Sequence, residues 1–276
     1  MSETMLVGPA GALRVVVAGP DAARVDDAAA TPVLFAHSFA GSSVQWAPQL
    51  EHVGRTRRAV AIDFRGHGRS EALPGSLFDV PSFAADIGAA ADGLGLERFA
   101  IVGHSLGGAA AIHYAAQYED RVAGLLLVAT PGRLPDEQVK GIEKALEQDF
   151  DKTMGGIWRR LLANATPATR RTVEGESEKL PEDIQRQIIR ATFEFDPVPP
   201  LRGFDGPRLT VSTPQEGPVK ELHEVVPGVE HETVDGTSHW IQLDEPERFD
   251  EILDGFLEEV DRAESPSRDR ASAVAS

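Results

Sequence analysis

The sequence predicts an α/β fold in which a mostly parallel sheet is flanked by helices. Three observations carry this. Short apolar, β-branched-rich runs alternate with stretches of helical period. The run 122–129 is apolar throughout, as in a strand buried on both faces. Finally, Phe99-Ala100-Ile101-Val102 leads directly into Gly103-His104-Ser105-Leu106-Gly107-Gly108 and then into the helix-forming stretch 109–116. Ser105 therefore falls on a strand-to-helix turn. Its flanking glycines let the chain reverse tightly and the helix approach the strand, which leaves the serine exposed and strained, as in a nucleophile elbow.

In chain order, residues 13–18 and 32–36 read as strands joined by the Ala/Asp-rich segment 21–30. His37-Ser38-Phe39-Ala40-Gly41 follows, and Ser42 is a candidate N-cap for a helix reaching residues 50–53. Residues 59–62 form a further strand, closed by the glycine-containing loop 63–70, and Pro81 opens a helix to about Gly93. Beyond Pro131 the character changes. Residues 136–192 are charged, with apolar positions at helical spacing and breaks near Pro167 and Pro181, which predicts an insertion of helices without a strand. The Pro-rich segment 196–200 returns the chain to the sheet. A strand at 208–212, a helix near 219–225, a strand at 229–234 and an amphipathic helix at 246–260 complete the pattern. The Ser/Ala/Arg/Asp-rich stretch 262–276 reads as a disordered tail.

Composition narrows the function classes. A chain of 276 residues holds one α/β domain with an insertion. The net charge of -17 repels nucleic acid and anionic membranes, so neither is an expected partner. The absence of cysteine excludes disulfides, thiolate metal sites and a cysteine nucleophile. No long apolar run and no secretory leader pattern appear, so a cytoplasmic location is the expectation.

Several landmarks then agree in order along residues 13–260. His37-Ser38-Phe39 is similar to a His-Gly-x oxyanion loop, with Ser38 standing where glycine is usual. Residues 63–70 resemble an Asp-x-Arg-Gly-His-Gly-x-Ser loop, 103–107 a nucleophile elbow, and Ser238-His239-Trp240 the surroundings of a catalytic histidine. The chain thus resembles the α/β-hydrolase fold superfamily, as a serine esterase-like member. The resemblance implies a core of residues 1–133 and 201–261 and a helical cap at 134–200 that selects the substrate.

The chemistry asks for the same residues. A serine hydroxyl needs a neighbouring base, and His239, in a loop between a strand and the last helix, is that base. Negative charge on the tetrahedral intermediate needs two backbone N–H donors, expected from Phe39 and Leu106. The acid that orients His239 is expected after strand 208–212, where spacing selects Glu216; Asp136 is the alternative, and Asp196 a more distant one. Trp158, Leu161, Leu162 and Trp240 are candidates for the substrate pocket. The expected reaction is hydrolysis of a carboxylic ester of small to medium size through an acyl-serine, without cofactor or metal. Ser105 argues against the aspartate-nucleophile relatives, the haloalkane dehalogenases and epoxide hydrolases. Perhydrolase or haloperoxidase, lactonase and carbon–carbon bond hydrolase activities use the same triad, and a non-enzymatic ligand receptor is the alternative from another class.

Overall fold

Alternation along the strand that precedes Ser105 organises the whole molecule. Phe99 and Ile101 enter the apolar layer on one face of the sheet, while Ala100 and Val102 enter the layer on the other. The computed structural model describes residues 1–20, 30–214 and 220–274, with side chains to residue 265. Among the described residues eight strands form one sheet: β1 (Ser2–Gly8), β2 (Gly11–Ala18), β3 (Val33–Ala36), β4 (Ala59–Ile62), β5 (Phe99–His104), β6 (Val122–Val128), β7 (Arg208–Ser212) and β8 (Glu230–Thr233). Their spatial order is β1-β2-β4-β3-β5-β6-β7-β8. The β1–β2 and β2–β4 pairs are antiparallel, and every pair from β4 to β8 is parallel.

The helices are α1 (Ala47–Val53), α2 (Val80–Gly93), α3 (Leu106–Gln117), α4 (Asp136–Gln148), α5 (Phe150–Leu161), α6 (Pro167–Ser177), α7 (Glu182–Glu194), α8 (Val198–Arg202), α9 (Leu222–Val225), α10 (Ile241–Asp244) and α11 (Pro246–Val274). Their starts are written in the sequence. Asp79 caps α2 by accepting the Ser82 N–H at 2.8 Å, with Pro81 in the first turn. Thr166 does the same for α6 through Thr169 N–H at 3.1 Å, with Pro167 following. α2 and α3 bury Phe83, Ile87 and Ile112 against one face of the sheet. α1 and α11 bury Leu50, Phe249, Leu253 and Phe256 against the other. No helix among the described residues is long and apolar enough to cross a membrane.

Four features depart from the sequence reading. β1 was not foreseen: as a largely exposed edge strand it lacks the apolar runs that mark the inner strands, and only the Gly8-Pro9-Ala10-Gly11 turn signals its hairpin with β2. α11 does not end near residue 260 in a disordered tail but continues to Val274. Its extension is tied to the core where Glu264, 7% exposed, accepts from Arg98 at 2.7 Å. α3 starts at Leu106 rather than at 109, because the glycines of the turn already belong to its first turn. The Pro-rich segment 196–200 that returns the chain to the sheet is not a plain connection but carries the start of α8, whose Leu201 is fully buried in the α2–α3 layer.

Candidate active site

Glycine geometry explains the turn around Ser105. A Cβ on Gly103 would lie 2.6 Å from the Gly107 carbonyl oxygen, and one on Gly107 would lie 2.3 Å from the carbonyl oxygen of Ala36 at the end of β3. Side chains at either place would push α3 off the sheet. The constraint falls on Ser105, which has φ 52 and ψ -110, a conformation that costs a non-glycine residue on the order of 1–3 kcal/mol. Backbone bonds hold it there: Ser105 N–H donates to Val128 at 2.9 Å and its carbonyl accepts from Ala109 at 3.1 Å. Its hydroxyl makes no hydrogen bond among the described residues and is half-buried at the C-terminal edge of the parallel sheet.

His239 reaches this edge from the loop between β8 and α10, and the residue before Ser105 holds it there. His104 Nε2–H donates to the His239 carbonyl at 2.9 Å, which leaves Nδ1 to accept from the Gln242 side-chain amide at 3.2 Å. The His104 and His239 rings have centroids 4.7 Å apart. Full burial, and then the neighbouring His239, push His104 well below its ordinary pKa, so it acts as a neutral strut. A second anchor is Asp244. Its carboxylate accepts from the Ser238 N–H at 2.8 Å and from the Ser238 hydroxyl, and its other oxygen accepts from Thr166 N–H at 2.9 Å. One carboxylate thereby ties the histidine loop to the start of α6. His104 thus orders a loop by hydrogen bonding, as the sequence suggests, whereas Gln242 and Asp244 are the determinants of the His239 position that sequence reasoning missed. The only sequence signal for Asp244 was its place in the acidic pair Asp244-Glu245 before Pro246, which is unremarkable without the contact.

The inserted helices close over the same place. His239 N–H donates to the Leu161 carbonyl at 3.0 Å, at the end of α5. Trp158 stacks on Phe39 with ring centroids 5.7 Å apart and on Trp240 at 6.0 Å. Leu162 packs with Val173 and Trp240. The four predicted pocket residues are therefore gathered around the Ser238–Trp240 loop. A cavity of about 210 Å³ lies beside His239 and is lined by Arg160, Leu161, Asn164, Thr213 and Ser238.

The two expected oxyanion donors lie at a helix start and in the loop after β3. Leu106 opens α3, where first-turn amides have no carbonyl one turn back and the helix dipole favours an anion. Phe39 N–H makes no hydrogen bond among the described residues. Its loop is shaped by Ala40 at φ 51 and by His37, whose Nδ1–H donates to Ser38 at 2.7 Å while Nε2 accepts from Phe64 N–H at 3.0 Å. The serine at position 38, where glycine was anticipated, fits because its buried hydroxyl turns away to Gln45 Oε1 at 3.0 Å.

The acid is a different matter. Glu216 lies outside the described residues. The two residues that lead to it, Thr213 and Pro214, line the cavity beside His239. Nδ1 of His239 is buried and has no hydrogen-bond partner among the described residues. The alternative acid, Asp136, is not brought to the histidine. It begins α4, is 71% exposed and pairs with Arg133 at 3.0 Å; Asp196 pairs with the same arginine at 3.1 Å. Both carboxylates serve as partners of Arg133, and neither makes a hydrogen bond to His239 among the described residues.

Burial, and then the positive charge of Arg160, lower His239 from its ordinary value to about 4. The imidazole is thus neutral, and able to accept a proton, across the neutral range. A base with a lowered pKa loses activity only as pH falls through that lowered value, so the acidic limb of kcat/KM is expected below the ordinary histidine value. Because a nearby cation disfavours the imidazolium, Arg160→Gln is expected to move that limb to higher pH. Arg160 is exposed, so the displacement shrinks in high salt. An unmoved limb in a pH profile of the variant would contradict the coupling.

Residues 31–208 match the family described as alpha/beta hydrolase fold. A serine hydrolase-like protein of Danio rerio is 35% identical over 156 residues, a match that covers 54% of this chain and 46% of that protein. The chain thus spans about half the length of that relative. A Caulobacter sp. (strain K31) protein named as a carbamate hydrolase is 27% identical over 243 residues, covering 82% of this chain and 90% of its own length. Among solved structures, a thermophilic esterase from Thermogutta terrifontis superposes with a TM-score of 0.71 at 20% identity, covering 94% of this chain and 99% of the esterase. With an 8-stranded, mostly parallel sheet flanked by helices and a family match over residues 31–208, the chain belongs to the alpha/beta hydrolase fold family.

Proposed function

We infer that this chain is a serine hydrolase that cleaves small to medium carboxylic esters through an acyl-serine intermediate, with a small-molecule ester as its partner and no cofactor. Ser105 attacks the ester carbonyl, and His239 takes its proton and returns it to the leaving alcohol. Glu216 at Nδ1 fixes the tautomer that leaves Nε2 free to accept, while Phe39 and Leu106 N–H groups receive the oxyanion. The observation that carries the reading is the strained Ser105, whose adjoining His104 holds the His239 loop at 2.9 Å. The inserted helices act as a cap over this site, with Trp158 on Phe39 and Trp240 as the surface that meets the acyl or alcohol group.

The test is a set of p-nitrophenyl esters of increasing acyl length, run beside lactones, carbamates and peracid formation. Ester turnover with a burst of p-nitrophenol is the expected result. Turnover confined to lactones, carbamates or peracids would contradict the substrate class, and ligand-induced stabilisation without any turnover would contradict an enzyme altogether. Trp158→Ala is expected to change the preference among acyl lengths more than the rate on the acetate ester. Equal losses on every ester at unchanged melting temperature would count against a specificity role for this residue.

A further inference from the structure

Away from the catalytic neighbourhood, three metal-binding side chains meet at the edge of the sheet. Glu221 immediately precedes α9, His223 lies within it, and His231 is on the edge strand β8. One ligand atom from each lies within 4.8 Å of the other two. His223 Nδ1 is 3.6 Å and His231 Nε2 is 3.9 Å from the same oxygen, Glu221 Oε2. The two imidazoles stack with centroids 3.7 Å apart.

Hydrogen bonding decides which nitrogen of His231 carries the lone pair. Thr210, opposite His231 in the β7–β8 pairing, donates its hydroxyl to the Glu230 carbonyl at 3.1 Å. Its oxygen is then an acceptor for His231 Nδ1 at 3.0 Å, so Nδ1 carries the proton and Nε2 the lone pair. The remaining partner of Nε2 is the Thr233 hydroxyl at 2.9 Å on an exposed residue. His223 Nδ1 is buried and makes no hydrogen bond among the described residues. Glu221 Oε2 is held from behind by the Ser212 hydroxyl at 2.8 Å. Two of the three side chains, His231 and Glu221, are thus already oriented by a hydroxyl, as ligands of a metal are.

We propose that Glu221, His223 and His231 bind one divalent transition-metal ion, with zinc as the best-suited cation. Two imidazole nitrogens and one carboxylate oxygen suit zinc, whereas magnesium and calcium take oxygen ligands. Zinc–ligand distances of about 2.0–2.2 Å place tetrahedral ligand atoms roughly 3.4 Å apart, so binding draws the cluster inward by about 1 Å. The side chains are 21–32% exposed, so solvent reaches the cluster. Solvent completes the fourth position. The ion joins α9 to β8 and pins the far end of the segment that leaves β7 at Ser212.

The experiment titrates the chelator-stripped, tag-free full chain with zinc chloride by calorimetry at neutral pH. One saturable ion per chain is expected, with a melting temperature that rises with free zinc. Cobalt(II) in its place is expected to give the intense visible absorption of a tetrahedral site. Glu221→Gln, His223→Ala and His231→Gln should each weaken binding at least about tenfold, and Thr210→Val, which removes only the hydroxyl behind His231, by about 10–100-fold. Metal-free melting temperatures separate lost binding from lost folding. The site is overturned if the wild-type chain shows no saturable zinc binding, or if the three ligand variants bind as tightly as it does. Should a variant fold poorly, the wild-type cobalt spectrum decides, and weak octahedral absorption rejects the site.

Discussion

Ser105→Ala is expected to lower kcat for ester hydrolysis by about 10⁶ while leaving the melting temperature close to that of the parent chain. The first half follows from chemistry, since no other hydroxyl occupies the turn that faces His239. The second follows from the contacts. The Ser105 hydroxyl makes no hydrogen bond among the described residues, and the bonds that hold the turn run through its backbone to Val128 and Ala109. Alanine at φ 52 is strained no differently from serine, so little stability is gained or lost. Steady-state kinetics with a thermal melt on the same preparation checks both halves. A variant that turns over esters within tenfold of the parent rate would place the nucleophile elsewhere.

Glu216→Gln is expected to lower kcat by two or more orders of magnitude with KM little changed, whereas Asp136→Asn is nearly silent. A carboxylate on the buried Nδ1 of His239 would stabilise the imidazolium that forms as Ser105 attacks, and losing such a group costs about 10⁴ in related triads. The same change should shift the acidic limb of kcat/KM to lower pH, because a carboxylate raises a neighbouring histidine's pKa and the amide does not. This is the opposite direction to the Arg160→Gln shift, so the two variants check each other. Asp136 offers no such chemistry from its exposed pairing with Arg133. The reverse ranking of the two acid variants, or an acidic limb that rises in Glu216→Gln, would remove Glu216 from the mechanism.

The sheet was legible in the sequence wherever burial imposed a pattern. β5 and β6 are buried on both faces and read as unbroken apolar runs. β1 escaped because an exposed edge strand needs no such run, and the end of α11 escaped because its Arg98–Glu264 tie is a contact between residues far apart in the chain. The candidate site divides in the same way. Ser105 is marked by the glycines its turn requires, and His239 by its place before the last helix. Its supports are set by tertiary contacts: His104 to the His239 carbonyl, Gln242 to His104, and Asp244 to both Ser238 and Thr166. No local spacing announces these, since each partner lies on a different element. Ser38 shows the converse case, a departure from the anticipated glycine that the Gln45 side chain accommodates.

The central claim is that Ser105 is the residue acylated during turnover. The most direct measurement is covalent labelling with an organophosphonate ester, followed by peptide mass spectrometry to locate the adduct. The account predicts one label per chain, on the peptide containing Gly103-His104-Ser105-Leu106-Gly107, with activity lost in proportion to labelling. Stoichiometric labelling at any other residue, or full activity in the fully labelled protein, would contradict it.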